Sequence, residues 1–160
     1  MRESASPRRL QSWGARRGSE LLALSEISWT MLVLIVDDDP MARLLCSRMV
    51  ATLGYETLTA MDGESAWGLY QQRSPDVIIS DWMMPGMDGL ALCQAVRGAP
   101  GPSYTYLVLL SSLSERADVL RGMRAGADDY LTKPLDREQL QVRLLCAERV
   151  TGLHRELAAQ

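Results

Sequence analysis

Acidic residues, a hydroxyl and a lysine stand where short apolar runs end. Asp37-Asp38-Asp39 follows residues 32–36, Asp81 follows 77–80, Ser111 follows 106–110, and Thr132-Lys133-Pro134 follows 129–131. Lys133 is the only lysine; the other sixteen of the seventeen basic residues are arginine. A chain that uses arginine nearly everywhere has a reason to keep lysine here. Lysine offers a compact, mobile point charge where guanidinium is a planar fork. Carboxylates packed together repel, and a proton or a cation must relieve them. Mg²⁺ suits such a set, taking one or two carboxylates, waters and a phosphate oxygen; Mn²⁺ accepts the same hard ligands. A carboxylate can also attack phosphorus and form an aspartyl phosphate. Phosphoryl transfer needs mainly positioning and charge neutralisation. A cation on one side and Lys133 on the other would supply the charge, with Ser111 as a hydrogen-bond donor.

Each residue alone has an ordinary reading. The three aspartates could be a turn and helix cap before Pro40, Asp81 the first acid of a loop, Ser111 structural, and Lys133 a surface charge. Their joint placement argues against coincidence, because the elements between them alternate. Residues 32–36 form a continuous apolar run, as in a strand buried on both faces. Residues 40–53 carry apolar positions 41, 44, 45, 49 and 53 at helical spacing and close on Gly54. Residues 55–60 read as a more polar edge strand. Further helices are expected over 62–73, with Asp62 as N-cap, over 88–97, over 114–125 ending at Gly126, and from 136 onward. Further strands are expected at 77–80, 106–110 and 129–131. Five strands alternating with five helices predict an open parallel sheet covered on both faces. Ligands of such sheets bind outside the carboxyl ends of the strands, at the switch point in strand order. That rule alone brings Asp37, Asp38, Asp81, Ser111 and Lys133 to one crevice.

Composition narrows the remaining classes. The chain has 160 residues, one histidine, three cysteines and a formal charge of -3. The charge gives no general reason to expect direct nucleic-acid binding, and no apolar run approaches the ~18 residues of a membrane span. Cys46, Cys93 and Cys146 lack metal-ligand spacing and read as reduced thiols of a cytoplasmic protein. The single His154 removes histidine-dependent triads and zinc sites; it reads as an exposed helix residue rather than a phosphoacceptor. No G-x-G-x-x-G and no P-loop is present. Residues 1–30, rich in arginine and serine, are expected to be a disordered extension, with a faint transit-peptide character and Met31 as another possible start.

Three segments, in order, resemble the receiver domain of bacterial two-component response regulators. They are Leu34-Ile35-Val36-Asp37-Asp38-Asp39-Pro40, then Asp76-Val77-Ile78-Ile79-Ser80-Asp81-Trp82-Met83-Met84-Pro85-Gly86-Met87-Asp88-Gly89, then Gly126-Ala127-Asp128-Asp129-Tyr130-Leu131-Thr132-Lys133-Pro134. The resemblance covers residues 31–150. It implies a flavodoxin-like, doubly wound five-stranded parallel sheet of order 2-1-3-4-5 with five helices, the last extended. It further implies that Asp81 accepts a phosphoryl group from a sensor histidine kinase or a histidine phosphotransfer protein. Asp38, Asp81 and the Met83 backbone carbonyl would bind Mg²⁺ (or Mn²⁺) directly, with Asp37 acting through water. Lys133 would pair with Asp81 and then with the phosphoryl oxygens. Ser111 and Tyr130 would be the switch residues, and the Lys133–Pro134 peptide would be cis. Apolar Met83 and Leu113 would leave the phosphoryl group slow to hydrolyse. Such a domain signals by switching conformation and is not a turnover enzyme.

No output domain is expected within residues 151–160, which read as a helical tail or linker. Leu140, Leu144, Ala147, Val150, Leu153 and Leu157 continue an apolar stripe at spacings of three and four, as in a coiled coil; packing on the sheet would account for this stripe only to about residue 147. Homodimerisation through that helix, or through the fourth helix, fifth strand and fifth helix, is a further expectation, as is an output in cyclic-di-GMP signalling. Two other classes fit less well. A pseudo-receiver that binds without phosphate would not need the intact acids and lysine. A haloacid dehalogenase-type phosphatase would show Asp-x-Asp-x-Thr or Val after its first strand, where this chain has Met41 in the fifth position.

Overall fold

The computed structural model describes residues 29–99, 101, 103–112 and 116–159. The expected N-terminal extension therefore lies outside the described residues except for Trp29 and Thr30, as do Leu113 and the first two residues expected in the fourth helix. Strands β1 (Leu32–Val36), β2 (Glu56–Ala60), β3 (Val77–Asp81), β4 (Tyr106–Ser111) and β5 (Asp129–Thr132) alternate with helices α1 (Pro40–Thr52), α2 (Gly63–Arg73), α3 (Gly89–Gly98), α4 (Arg116–Arg124) and α5 (Arg137–Ala158). All neighbouring strands are parallel, in the order β2-β1-β3-β4-β5. This is the expected flavodoxin-like, doubly wound sheet. Order reverses between β1 and β3, the switch point where such sheets place their ligands.

Alternation along the strands builds two cores. Val33, Ile35, Val77, Ile79, Val108, Leu110 and Leu131 point to one face and meet Cys46 and Val50 of α1 with Leu140, Leu144 and Ala147 of α5. Leu34, Val36, Ile78, Leu107 and Leu109 point to the other and meet Ala66 of α2 with Leu92, Cys93 and Val96 of α3. Each fully buried Leu, Ile or Val contributes about 1.5–3 kcal/mol relative to exposure, which is why the three central strands tolerate no polar residue until their ends. Polar β2 lies at the sheet edge, as its sequence suggests. Register then aligns the strand ends: Val36 sits beside Ala60 and Ser80, Asp81 beside Leu110, and Ser111 beside Thr132.

Caps start the helices where the sequence places them. Asp39, Asp62, Asp88 and Asp136 each accept a backbone N–H of the first turn of the helix that follows, at 2.7–3.0 Å, satisfying donors that a helix start leaves without partners.

Two expectations need correction. The helical period of residues 40–53 is right, but Met41, Leu44 and Leu45 lie on the exposed side. The buried face is Cys46 and Val50, flanked by Met49 and Leu53, so α1 is apolar on two faces and its stripe does not mark the core. The C-terminal helix also packs further than residue 147. Val150 rests on the core, Thr151 is 2% exposed, and its hydroxyl donates to the Ala147 carbonyl at 2.7 Å. His154 then stacks on Tyr104 with ring centroids 4.3 Å apart, and the Arg155 guanidinium lies 3.9 Å from the centre of the Trp29 ring. The end of the helix thus grips the amino edge of the sheet, and only Leu153 (60% exposed) and Leu157 (67%) of the apolar stripe face outward. No break in α5 marks residue 150.

Candidate functional site

Asp37 sits one residue past β1, Asp81 ends β3, Ser111 ends β4 and Lys133 sits one residue past β5. The Lys133 backbone N–H donates to the Ser111 carbonyl at 2.8 Å, and Trp82 N–H donates to the Leu110 carbonyl at 2.8 Å. Both bonds prolong the ladder past the strand ends and fix where the side chains start. The Lys133–Pro134 peptide is cis. Lys133 Nζ lies 3.2 Å from Asp81 Oδ1 and 3.3 Å from Asp37 Oδ2. Asp37 (3% exposed) is held on three sides. Its N–H donates to the Ala60 carbonyl, its Oδ1 accepts Asp39 N–H at 3.0 Å, and its carbonyl accepts Arg43 Nη1 at 2.8 Å. Asp81 is 9% exposed, whereas Asp38 is exposed to solvent.

Carboxylate oxygens of Asp37, Asp38 and Asp81 all lie within 4.8 Å of one another. Three carboxylates against one ammonium leave two negative charges unmatched. Burial pushes the Asp81 pKa above the ordinary carboxylate value; Lys133 opposes that rise, and Asp37 and Asp38 add to it. Burial also works against the charge of Lys133, but Asp81 and Asp37 outweigh it and hold its pKa above the usual lysine value. A divalent cation matches the unmatched charge, and an all-oxygen donor set suits Mg²⁺ or Mn²⁺. The residues present fit such an ion.

Ser111 is buried at the end of β4, next to this cluster in the sheet order. Tyr130 is half-buried in β5, its ring edge-on to Trp82 with centroids 5.9 Å apart. The Met83 side chain is exposed. The structure thus gathers Asp37, Asp38, Asp81 and Lys133 directly, and places Ser111 and Tyr130 on the adjoining strands. The acidic pair of the third motif does other work. Asp128 binds Arg97 at 2.7 Å, Tyr104 and the Leu107 N–H, while Asp129 pairs with Arg143 at 2.8 Å. Sequence reading missed Arg43, whose bond to a backbone carbonyl leaves no pattern in the chain.

The model of the response regulator receiver domain matches residues 33–145. This chain belongs to that family. It is 40% identical over 120 residues to a probable transcriptional regulator, ycf27, of Guillardia theta, covering 75% of this chain and 46% of that protein. It is 37% identical over 119 residues to the DNA-binding dual master transcriptional regulator RpaA of Synechocystis, covering 74% of this chain and 49% of that protein. The solved receiver domain of the Francisella response regulator 1452 is 33% identical with a TM-score of 0.70, covering 76% of this chain and 99% of that one. The chain spans about half the length of these curated relatives. The family is one of signalling domains rather than catalytic enzymes. One of these relatives binds DNA and the other is a probable transcriptional regulator, so the expected absence of nucleic-acid contact does not extend to a whole protein of this kind. No described helix is long and apolar enough to cross a membrane.

Proposed function

We propose that residues 31–150 are a phosphoacceptor receiver and that Asp81 is the acceptor. The observation that carries this reading is the placement of Lys133 Nζ 3.2 Å from Asp81 Oδ1, beside carboxylates whose oxygens lie within 4.8 Å. An Asp81 carboxylate oxygen attacks the phosphorus of a phosphohistidine on a sensor kinase or histidine phosphotransfer protein. The new P–O bond forms as the P–N bond breaks, and the imidazole nitrogen leaves with the electron pair. Asp38, Asp81 and the Met83 carbonyl would hold Mg²⁺ or Mn²⁺ directly and Asp37 through water. When bound, that ion neutralises charge on the phosphoryl oxygens. Lys133 first pairs with Asp81, opposing the rise that burial imposes on its pKa, and afterwards pairs with a phosphoryl oxygen. Ser111 donates to another phosphoryl oxygen, and Tyr130 repacks beside it, so that added charge shifts the population between two packings.

Residues 1–30 are then an extension and residues 151–160 the tail that leads towards a partner or output domain. Transcriptional control is the output the relatives favour, with cyclic-di-GMP signalling as the other expected route. Homodimerisation through α4, β5 and α5 or through the C-terminal helix, and a cytoplasmic location, complete the proposal. Acetyl phosphate with Mg²⁺, read by intact mass, tests the core of it. A gain of one phosphoryl group that disappears in Asp81→Asn is expected. Equal labelling of the variant would overturn the assignment.

A further inference from the structure

We infer that Gly63 and Glu64, at the start of α2, seat the loop between Asp81 and α3 and are positioning residues for the cation site. This rests on the reading of Asp37, Asp38, Asp81 and the Met83 carbonyl as that site. The loop has to place a backbone carbonyl, which no side-chain rotamer can correct. At its base the Gly89 N–H donates to the Trp82 carbonyl at 2.9 Å. Its turn is made by Gly86, whose φ of +74° is a region that L side chains rarely adopt. Its outer limb rests on α2. Glu64 Oε1 accepts the Met87 N–H at 3.1 Å. A Cβ on Gly86 would lie 2.9 Å from the same Oε1, and a Cβ on Gly63 would lie 2.2 Å from the Met87 carbonyl oxygen. A side chain at Gly63 would displace the Met87 carbonyl, and one at Gly86 would push the Glu64 carboxylate aside.

The seat itself is fixed. Asp62 caps α2 by accepting the Ser65 N–H at 2.7 Å, and Ala66 is buried in the core cluster that includes Met84 and against which Met87 packs. Met83 thus lies between Asp81 in the sheet and Met87, which α2 holds. The bond from the Met87 N–H to the Glu64 side-chain oxygen is what ties this limb to α2. Removing it frees the loop, and ordering the carbonyl then falls to cation binding.

The test uses the full chain, titrated with MgCl₂ and followed by the backbone amide resonances of Trp82 and Met84. Hydrogen exchange at the Met87 amide is measured in parallel. Glu64→Ala should speed that exchange and weaken Mg²⁺ binding by about tenfold, the lower end for residues that orient metal ligands. Glu64→Gln keeps an acceptor oxygen without the charge and should stay close to wild type. Gly63→Ala should weaken binding as Glu64→Ala does. Glu64→Gln as weak as Glu64→Ala would mean that charge alone matters and would overturn the inference. So would unchanged Mg²⁺ affinity in Glu64→Ala while Asp38→Asn and Asp81→Asn abolish binding, an outcome that leaves the cation site standing. A wild type with no saturable Mg²⁺ response would remove the cation site, and the inference with it.

Discussion

Arg155 Nη2 donates to Asp76 Oδ1 at 2.7 Å, tying the last turns of α5 to the residue before β3. The other Asp76 oxygen accepts the Leu32 N–H at 2.8 Å, and Asp76 N–H donates to the Leu32 carbonyl at 2.9 Å. One buried carboxylate therefore joins β1, β3 and the end of the chain's longest described helix. The two partners are not equal. Asp76→Ala would strip the part-buried Leu32 amide of its acceptor as well as the guanidinium, a loss of about 2 kcal/mol. Arg155→Ala removes a half-exposed ion pair and a stack on Trp29, worth about 1 kcal/mol or less. Urea unfolding of both variants checks the ranking, and equal losses would show that the carboxylate's bond to Leu32 contributes nothing.

Much of this architecture is legible in the chain, and the reasons differ by element. The central strands announce themselves because burial on both faces demands continuous apolar runs. The site is legible because a parallel sheet sends its strand ends to one edge, so Asp37, Asp81, Ser111 and Lys133 converge without long-range knowledge. The core face of α1 is not legible, since Met41, Leu44 and Leu45 are as apolar as the residues that are buried. The grip of α5 on the sheet is hidden for another reason. It is made by Thr151, His154 and Arg155, polar residues whose partners Met31, Tyr104, Asp76 and Trp29 lie far away in sequence. Periodicity records apolar burial and is blind to such pairs.

Cysteine reactivity should follow burial. Cys46 and Cys93 are buried and Cys146 only partly so, and all three are free thiols. Burial pushes the Cys93 thiol up to about 12 from an ordinary value of 9.0, and the thiolate is the reactive form. A disulfide reagent at neutral pH should modify Cys146 first, with Cys46 and Cys93 reacting only in urea. Rapid modification of all three in the native protein would contradict this packing.

Stability should fall in alkali. Burial, then the bond to Asp128, raises Tyr104 from 10.0 to about 12, and burial raises Tyr106 and Tyr55 to about 12 as well. These groups, with Cys93, stay protonated in the folded chain where the unfolded chain would ionise. Their contribution is fully present below pH 9 and is lost as pH rises through 12. Urea midpoints measured across that window should decline. Tyr104→Phe should flatten part of the decline, because phenylalanine has no proton to release.

Lys133→Arg separates charge from shape at the site. Lys133 Nζ reaches both Asp81 and Asp37 at 3.2 and 3.3 Å from one point, while a guanidinium spreads its donors over a plane and is bulkier. The substitution keeps a positive charge beside Asp81, so transfer from acetyl phosphate should continue within about tenfold of the wild-type rate, a barrier change of roughly 1.4 kcal/mol. On the proposed function the switch should suffer more, because the phosphoryl group would be met by a group of the wrong size while Ser111 and Tyr130 rearrange. Intact mass reports the first effect, and beryllofluoride-induced shifts of the Ser111 and Tyr130 amide resonances report the second. A variant that phosphorylates and shifts like wild type would show that charge alone suffices and that the chain's one lysine has no special geometric task.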